Sequence, residues 1–113
     1  MVILSIVVNA DSIKRRELLS TCRMVADQTR QEKGCLDFCI TLDFDNENII
    51  HVEQRWKRRL FMENHLRSDL FVVLIGAIQI LSQSHEIRIN ESSRTEGMEA
   101  VHAVQPKKDV NDE

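Results

Sequence analysis

The sequence contains no tyrosine, only one proline and only three glycines. Its aromatic residues are four phenylalanines and one tryptophan. Because tyrosine is absent, no phenolic hydroxyl of the protein can act as a proton donor. The scarcity of glycine and proline argues against wholesale disorder. We therefore expect a folded protein, and a length of 113 residues favours a single domain.

The chain also lacks a broad positive field and a long apolar run. Its net charge is −3, with acidic and basic residues interspersed, so a nucleic acid is not expected as a partner. The longest apolar run, residues 70–75, is followed by Gly76 and is far shorter than the roughly 20 residues that span a bilayer. The apolar N-terminus has no positively charged lead, which is against a signal peptide. We expect a cytoplasmic protein without membrane contact.

Cysteine and histidine are too few and too scattered for a metal site. Cys22, Cys35 and Cys39 form no CxxC motif, and their odd number suits thiols in a reducing compartment. His85 and His102 have no companion ligands at a recognisable spacing. A glycine-rich phosphate-binding loop is missing as well. The sequence therefore predicts no metal, haem or flavin cofactor.

The first half of the chain predicts a strand, a helix and a second strand. Residues 2–8 are rich in β-branched side chains. Asp11 or Ser12 is a candidate cap for a helix that runs to about Arg30. Its apolar positions recur at helical spacing: Leu18, Cys22, Val25 and Thr29. After Gly34 the sequence alternates, which predicts one face with Leu36, Phe38, Ile40, Leu42 and Phe44 and an opposite face with Cys35, Asp37, Cys39, Thr41 and Asp43.

The second half predicts a returning strand, two helices and a final strand. A polar turn at residues 45–48 precedes a strand over residues 49–56. This strand places Ile50, Val52, Gln54 and Trp56 on one face and His51, Glu53 and Arg55 on the other. A helical region opens at residues 57–59, and Ser68 is a candidate cap for a helix from Asp69 to about Leu81. Ile87 and Ile89 mark the last strand.

The order β-α-β-β-α-β predicts an α+β fold of the ferredoxin-like kind, with helices on one face of an antiparallel sheet. The other face would carry Ile3, Val7, Cys39, Ile49, Ile87 and Ile89 beside polar residues, with Cys35 packed there as a small apolar group. Such a face needs a cover, and a homodimer formed sheet against sheet provides one. We expect a domain over residues 1–91, followed by a polar segment, 92–113, that is either disordered or an arm crossing the dimer.

Two segments, residues 29–36, TRQEKGCL, and residues 65–71, HLRSDLF, lie on either side of Trp56. The first is similar to the helix-end signature of the antibiotic-biosynthesis monooxygenase family, which belongs to the dimeric α+β barrel superfamily, and the second matches the family's His-Leu-x-Ser-x-x-Phe segment. Trp56 lies between them at the family's spacing. The resemblance covers about residues 2–89. It implies a small homodimer with an apolar pocket between sheet and helices, where some members oxygenate quinol-like polyketides without metal or flavin.

The resemblance also implies roles for particular residues. Trp56 matches a tryptophan that lines the family's cavity, and Phe38 stands where several oxygenating members have tyrosine. Relatives that degrade haem use an asparagine on the first strand and a histidine on the third helix. The corresponding positions here are Ile6 and Ile75, so haem degradation is not expected.

Three of the candidate site residues have a structural interpretation beside the functional one. Trp56 would stack on a substrate or fill the core. His65 would act as a general base, since an imidazole titrates near neutral pH, or it would anchor the turn before Ser68. Gln54 would hydrogen-bond a substrate carbonyl or serve packing alone.

These observations predict a cofactor-independent monooxygenase that acts on an aromatic or quinol-like small molecule. In this prediction His65 and Gln54 are the catalytic residues, and Trp56 and Phe38 bind the substrate. The alternative is a non-catalytic dimer of the same fold that binds a small molecule or has a structural role, because one fold hosts many functions. A cavity beside Trp56 would favour the enzyme, and a filled core would favour the alternative.

Overall fold

The structure, a computed structural model, describes residues 1–92 and 96–105. In these residues the elements follow one another as β1 (Val2–Ala10), α1 (Arg15–Thr29), β2 (Cys35–Leu42), β3 (Ile49–Trp56), α2 (Arg59–Leu66), α3 (Asp69–Leu81), β4 (Ser82–Glu91) and α4 (Met98–Val104). The four strands form one antiparallel sheet in the order β2-β3-β1-β4. The prediction of a ferredoxin-like α+β fold is confirmed.

One face of the sheet packs against the helices and forms the core. The inward residues of β1 are fully or almost fully buried: Val2, Leu4, Ile6 and Val8. They meet the buried stripes of α1 and α3: Leu18, Cys22, Val25, Leu74 and Ile78. Removing each large aliphatic side chain from water contributes about 1.5–3 kcal/mol to folding. The helical spacing predicted for the first helix is therefore confirmed at Leu18, Cys22 and Val25.

The two predicted helix caps have different outcomes. The cap of α1 by Asp11 or Ser12 was wrong, because the helix begins at Arg15 without a side-chain cap. Asp11 instead forms a preceding turn, in which its Oδ1 accepts from the Ile13 N–H at 3.0 Å. The cap of α3 is confirmed: Ser68 Oγ accepts from the Phe71 N–H at 3.2 Å.

A β-bulge at the start of β2 changes which way its first residues face. Cys35 pairs with Trp56 and Asp37 with Arg55, so Leu36 has no partner on β3 and is 56% exposed. Cys35 consequently lies on the helix side and packs against the core. Its predicted place on the outer face, beside Cys39, was wrong because an extra residue resets the alternation.

The predicted orientation of β4 was also wrong. Ile87 pairs with Ile6 and Ile89 with Leu4, and directly paired residues share a face. Both isoleucines therefore point to the helix side, although they are 39% and 40% exposed at the sheet edge. The outer residues of β4 are polar instead: Ser84, Glu86, Arg88 and Asn90.

Beyond β4 the predicted tail contains a helix that the sequence did not indicate. α4 has no buried residue. Residues 93–95 and 106–113 lie outside the described residues, and with them the polar end at 106–109. Across the described ranges no single helix is long and apolar enough to span a membrane, although α2 and α3 meet that requirement as a pair bent by 66°.

Candidate functional site

The C-terminal half of β3 supplies two of the predicted site residues. Alternation along β3 turns Gln54 and Trp56 toward the helices, and neither side chain is exposed. Phe38 pairs with Gln54 across the β2–β3 ladder and is 1% exposed. The three residues thus form a continuous buried patch on the helix side of the sheet.

α2 places His65 directly against this patch. Met62 and His65, three residues apart, are the buried residues of the helix. The His65 ring lies 5.1 Å from the Trp56 ring, centroid to centroid, and 5.4 Å from the Phe71 ring, which meets it edge-on. Ser68 fixes the following turn, since its Oγ donates to the His65 carbonyl at 2.6 Å. His65 therefore anchors this turn and also directs its imidazole into the core.

Glu32, which was not among the predicted site residues, is the hydrogen-bonding partner of His65. Both carboxylate oxygens of Glu32 lie 3.0–3.1 Å from His65 Nδ1. Glu32 sits in the turn between α1 and β2, and its side chain is 31% exposed. A carboxylate accepts the proton of Nδ1, which leaves Nε2 as the hydrogen-bond acceptor of a neutral ring.

Burial sets the charge state of this histidine. It lowers the pKa of His65 below the usual value of 6.5, while the nearby Glu32 carboxylate opposes the shift. Burial therefore favours the neutral form of the imidazole. A neutral imidazole with a free Nε2 can take up a proton, and the adjacent carboxylate would stabilise the resulting imidazolium.

Two buried polar atoms of the site have no hydrogen-bonding partner among the described residues: Gln54 Nε2 and His65 Nε2. Gln54 Oε1 accepts from Trp56 Nε1 at 3.0 Å, and this bond fixes the amide orientation because the indole N–H can only donate. One unpartnered atom is thus a donor and the other an acceptor. Leaving such a group unpaired costs about 1–3 kcal/mol, so a polar molecule bound here would stabilise the site.

The site is closed in this conformation. Phe38, Trp56 and Met62 are each at most 1% exposed. Three open surface cavities lie elsewhere: between α1 and β2, beside the first turn of α1, and on the outer face near Asn9. None of the three is lined by Trp56, Gln54 or His65. The side chains point inward as an enzyme requires, but the core around them is filled.

No group of three or more potential metal ligands occurs within residues 1–92 and 96–105. All three cysteines are free thiols, and Cys22 is buried. Burial raises the pKa of the Cys22 thiol to about 11, so this sulfur is a poor nucleophile. The polar groups at the buried site are the imidazole of His65, the carboxylate of Glu32 and the amide of Gln54.

The fold and site define a small ferredoxin-like protein in which a buried imidazole lies against a tryptophan and pairs with a partly exposed carboxylate. Residues 1–75 match the family described as antibiotic biosynthesis monooxygenase. Since this match spans well over half of the 113 residues, the chain belongs to that family, and the resemblance found in the sequence is confirmed. No curated protein matches the sequence significantly.

Solved structures support the fold. A candidate antibiotic biosynthesis monooxygenase from Deinococcus radiodurans has a TM-score of 0.80 at 23% identity, covering 86% of this chain and 97% of its own. A conserved protein from Methanosarcina mazei Go1 has a TM-score of 0.76 at 22% identity, covering 81% and 92%. A third, a candidate monooxygenase of this kind from Nitrosomonas europaea, has a TM-score of 0.76 at 15% identity, covering 83% and 100%. At these identities the likeness establishes the fold alone.

Proposed function

We propose that this protein is a cofactor-independent monooxygenase that acts on an aromatic or quinol-like small molecule. Membership of the family supports a small-molecule monooxygenase in general terms. The observation that carries the finer proposal is the buried, neutral His65, held by Glu32 at Nδ1 and unpartnered at Nε2, with its ring against Trp56.

The proposed reaction uses the acidity of the substrate. The aromatic substrate stacks on Trp56, and Gln54 Nε2 donates a hydrogen bond to its oxygen. His65 Nε2 removes a proton, and the electron-rich anion then reduces molecular oxygen. For a ring methylene the balance is R₂CH₂ + O₂ → R₂C=O + H₂O, with one oxygen atom entering the product and the other leaving as water. The protein binds, orients and excludes bulk water.

Because the site is closed, substrate entry must displace a side chain. Phe71 is the side chain that we expect to move, since it is only partly buried and its ring edge contacts His65. Phe71 belongs to the first turn of α3, directly after the short connection from α2. We expect a rotation of this turn, rather than the unfolding of either helix, to open the site.

The proposal predicts that the purified protein oxidises anthrone faster than anthrone autoxidises. Oxygen consumption is measured with and without protein, and the product is analysed after reaction under ¹⁸O₂. We expect one labelled oxygen atom in the anthraquinone. Serum albumin at the same concentration controls for general apolar binding. A rate equal to that of the albumin control would refute catalysis on this substrate class.

The alternative function is a non-catalytic dimer that binds a small molecule or serves a structural role. The filled packing of Phe38, Trp56 and Met62 favours it. In that case an aromatic ligand would quench or shift the fluorescence of Trp56, the single tryptophan of the chain, without any oxygen consumption.

We further propose that two copies associate through the outer face of the sheet. This face carries the partly exposed Ile3, Val7 and Ile49 beside the Glu53–Arg55 ion pair of 2.8 Å. Cys39 and His51 belong to the same face, whereas Ile87 does not. An exposed apolar strip on a sheet face is typical of a surface that associates with another protein.

The dimer proposal predicts twice the 13.1 kDa chain mass in sedimentation equilibrium. Val7→Arg should shift the population toward the monomer, because Val7 is 40% exposed on the outer face. Val72→Arg is the matched control, since Val72 is 63% exposed on α3. A wild-type protein that sediments only as a monomer at micromolar concentration would contradict the proposal.

A further inference from the structure

A groove of about 490 Å³ lies between α1 and β2, away from the buried site. We call it the α1–β2 groove, and it is lined by Arg16, Leu19, Ser20, Arg23, Ile40 and Leu42. Its volume falls within the range of roughly 300–1,000 Å³ that is typical of small-molecule sites.

The floor of the α1–β2 groove is apolar and open to solvent. Ile40 and Leu42 follow Phe38 at two-residue spacing, so they lie on the helix side of β2. Phe38 is covered by the core, but Leu42 remains 45% exposed. β2 is an edge strand, and within the described part of the chain no further strand lies beside it to extend the cover. Leu19 of α1, partly buried, forms the opposite wall.

Two arginines border this floor. Arg16 and Arg23 are seven residues apart on α1, which places their Cα atoms about 10 Å apart on one side of the helix. Other arginines of this region have structural partners: Arg15 donates to the Glu47 carbonyl at 2.6 Å, and Arg30 donates to the Phe38 carbonyl at 2.7 Å. Arg16 and Arg23 form no hydrogen bond or ion pair through their side chains with any of residues 1–92 and 96–105.

We propose that the α1–β2 groove binds a small amphipathic carboxylate, with its apolar body on Leu19, Ile40 and Leu42 and its carboxylate on Arg16 or Arg23. A guanidinium group pairs with a carboxylate through two parallel hydrogen bonds. The chain carries a net charge of −3, so two arginines without an ion-pair partner among residues 1–92 and 96–105 form a local site of attraction for an anion. Ser20, between them, adds a hydroxyl donor.

This inference is independent of the proposed oxygenase activity. The groove contains neither Trp56, Gln54 nor His65, and its occupancy is measured by binding rather than by turnover. Failure of the groove proposal would leave the catalytic proposal unaffected, and the reverse also holds.

The test is calorimetric titration of the full chain with 1-naphthoate and with the uncharged 1-naphthalenemethanol near neutral pH. Arg16→Gln/Arg23→Gln should weaken naphthoate binding by about 10-fold or more, because the charge-assisted hydrogen bonds are lost. The binding of the uncharged compound should not change. Lys57→Gln/Arg58→Gln is the matched control, since it removes two exposed positive charges outside the groove, and it should change the affinity less than twofold.

Amide chemical shifts locate the bound probe. We expect naphthoate to change the amide chemical shifts of Leu19, Ile40 and Leu42 and to leave that of Trp56 unchanged. The proposal is overturned if naphthoate does not bind at millimolar concentration, if both double variants weaken it equally, or if the shifts occur elsewhere. If a second copy of the chain covers the groove, naphthoate will not bind at millimolar concentration, and the proposal is overturned.

Discussion

His65→Gln is expected to lower the turnover of anthrone by about 10²–10⁴-fold, the usual contribution of a positioned general base. Glutamine approximates the length of histidine and can still hydrogen-bond to Glu32, but it cannot accept a proton at neutral pH. The Michaelis constant should change little, because the stacking surface of Trp56 is retained. Initial rates of oxygen consumption, corrected for autoxidation, measure the effect.

Two further variants separate catalysis from folding. Glu32→Gln keeps an acceptor for the Nδ1 proton but removes the negative charge that would stabilise the imidazolium, so it should lower turnover by a smaller factor. His85→Gln is the matched control, because His85 is exposed on β4. If His65→Gln loses melting temperature while its residual folded fraction turns over at the wild-type rate, His65 has only its structural role.

The pH dependence of the stability that His65 contributes follows from the direction of its pKa shift. Burial lowers the pKa of His65 below 6.5, so the unfolded chain binds a proton more readily than the folded one. The stability that this residue contributes is fully present above about pH 6.5 and is lost as the pH falls through the folded pKa. Turnover should decline over the same low-pH range. Urea unfolding at a series of pH values should show the decline in the wild type and a smaller decline in His65→Gln.

The sequence predicted the fold because its local patterns agree with the final packing. Helical spacing in α1 and alternation in β3 each match the buried set. One error occurred where an extra residue shifts the alternation between the two faces of a strand. At Leu36 the bulge shifts Cys35 to the helix side, and no strand propensity marks that insertion. In β4 the isoleucines face the helices, yet they remain partly exposed, so hydrophobicity alone did not fix the orientation.

The candidate site was predicted in part for the same reason. Gln54 and Trp56 share a strand face, which alternation identifies, and Phe38 lies opposite Gln54. The partnership of His65 with Glu32 joins residues 33 positions apart, and only tertiary packing brings them together. A signal was nevertheless present: Glu32 lies in the segment that carried the family resemblance, two residues before Gly34.

Gly34 controls the position of this glutamate. Its φ of 85° lies in the left-handed region, which side-chain-bearing residues rarely adopt. An added Cβ would overlap the ring and Cβ of Phe61, the residue by which α2 packs onto this turn. The turn is further held by the Lys57 N–H, which donates to the Gly34 carbonyl at 2.8 Å. Backbone conformation and close approach therefore both require glycine here.

Gly34→Ala is accordingly expected to destabilise the protein by about 2–5 kcal/mol, combining about 1–2 kcal/mol for the left-handed conformation with about 1–3 kcal/mol for the overlap with Phe61. Gly76→Ala is the matched control, because a Cβ at that position in α3 meets no atom within 4 Å, and it should stabilise the helix by about 0.5–1 kcal/mol. Urea unfolding measures both changes. Adding Phe61→Ala to Gly34→Ala should relieve only the overlap, so the double variant should lose less stability than the two single variants summed. Equal stability of Gly34→Ala and the wild type would show that this turn adopts another conformation in solution and that Glu32 is not held against His65 by it.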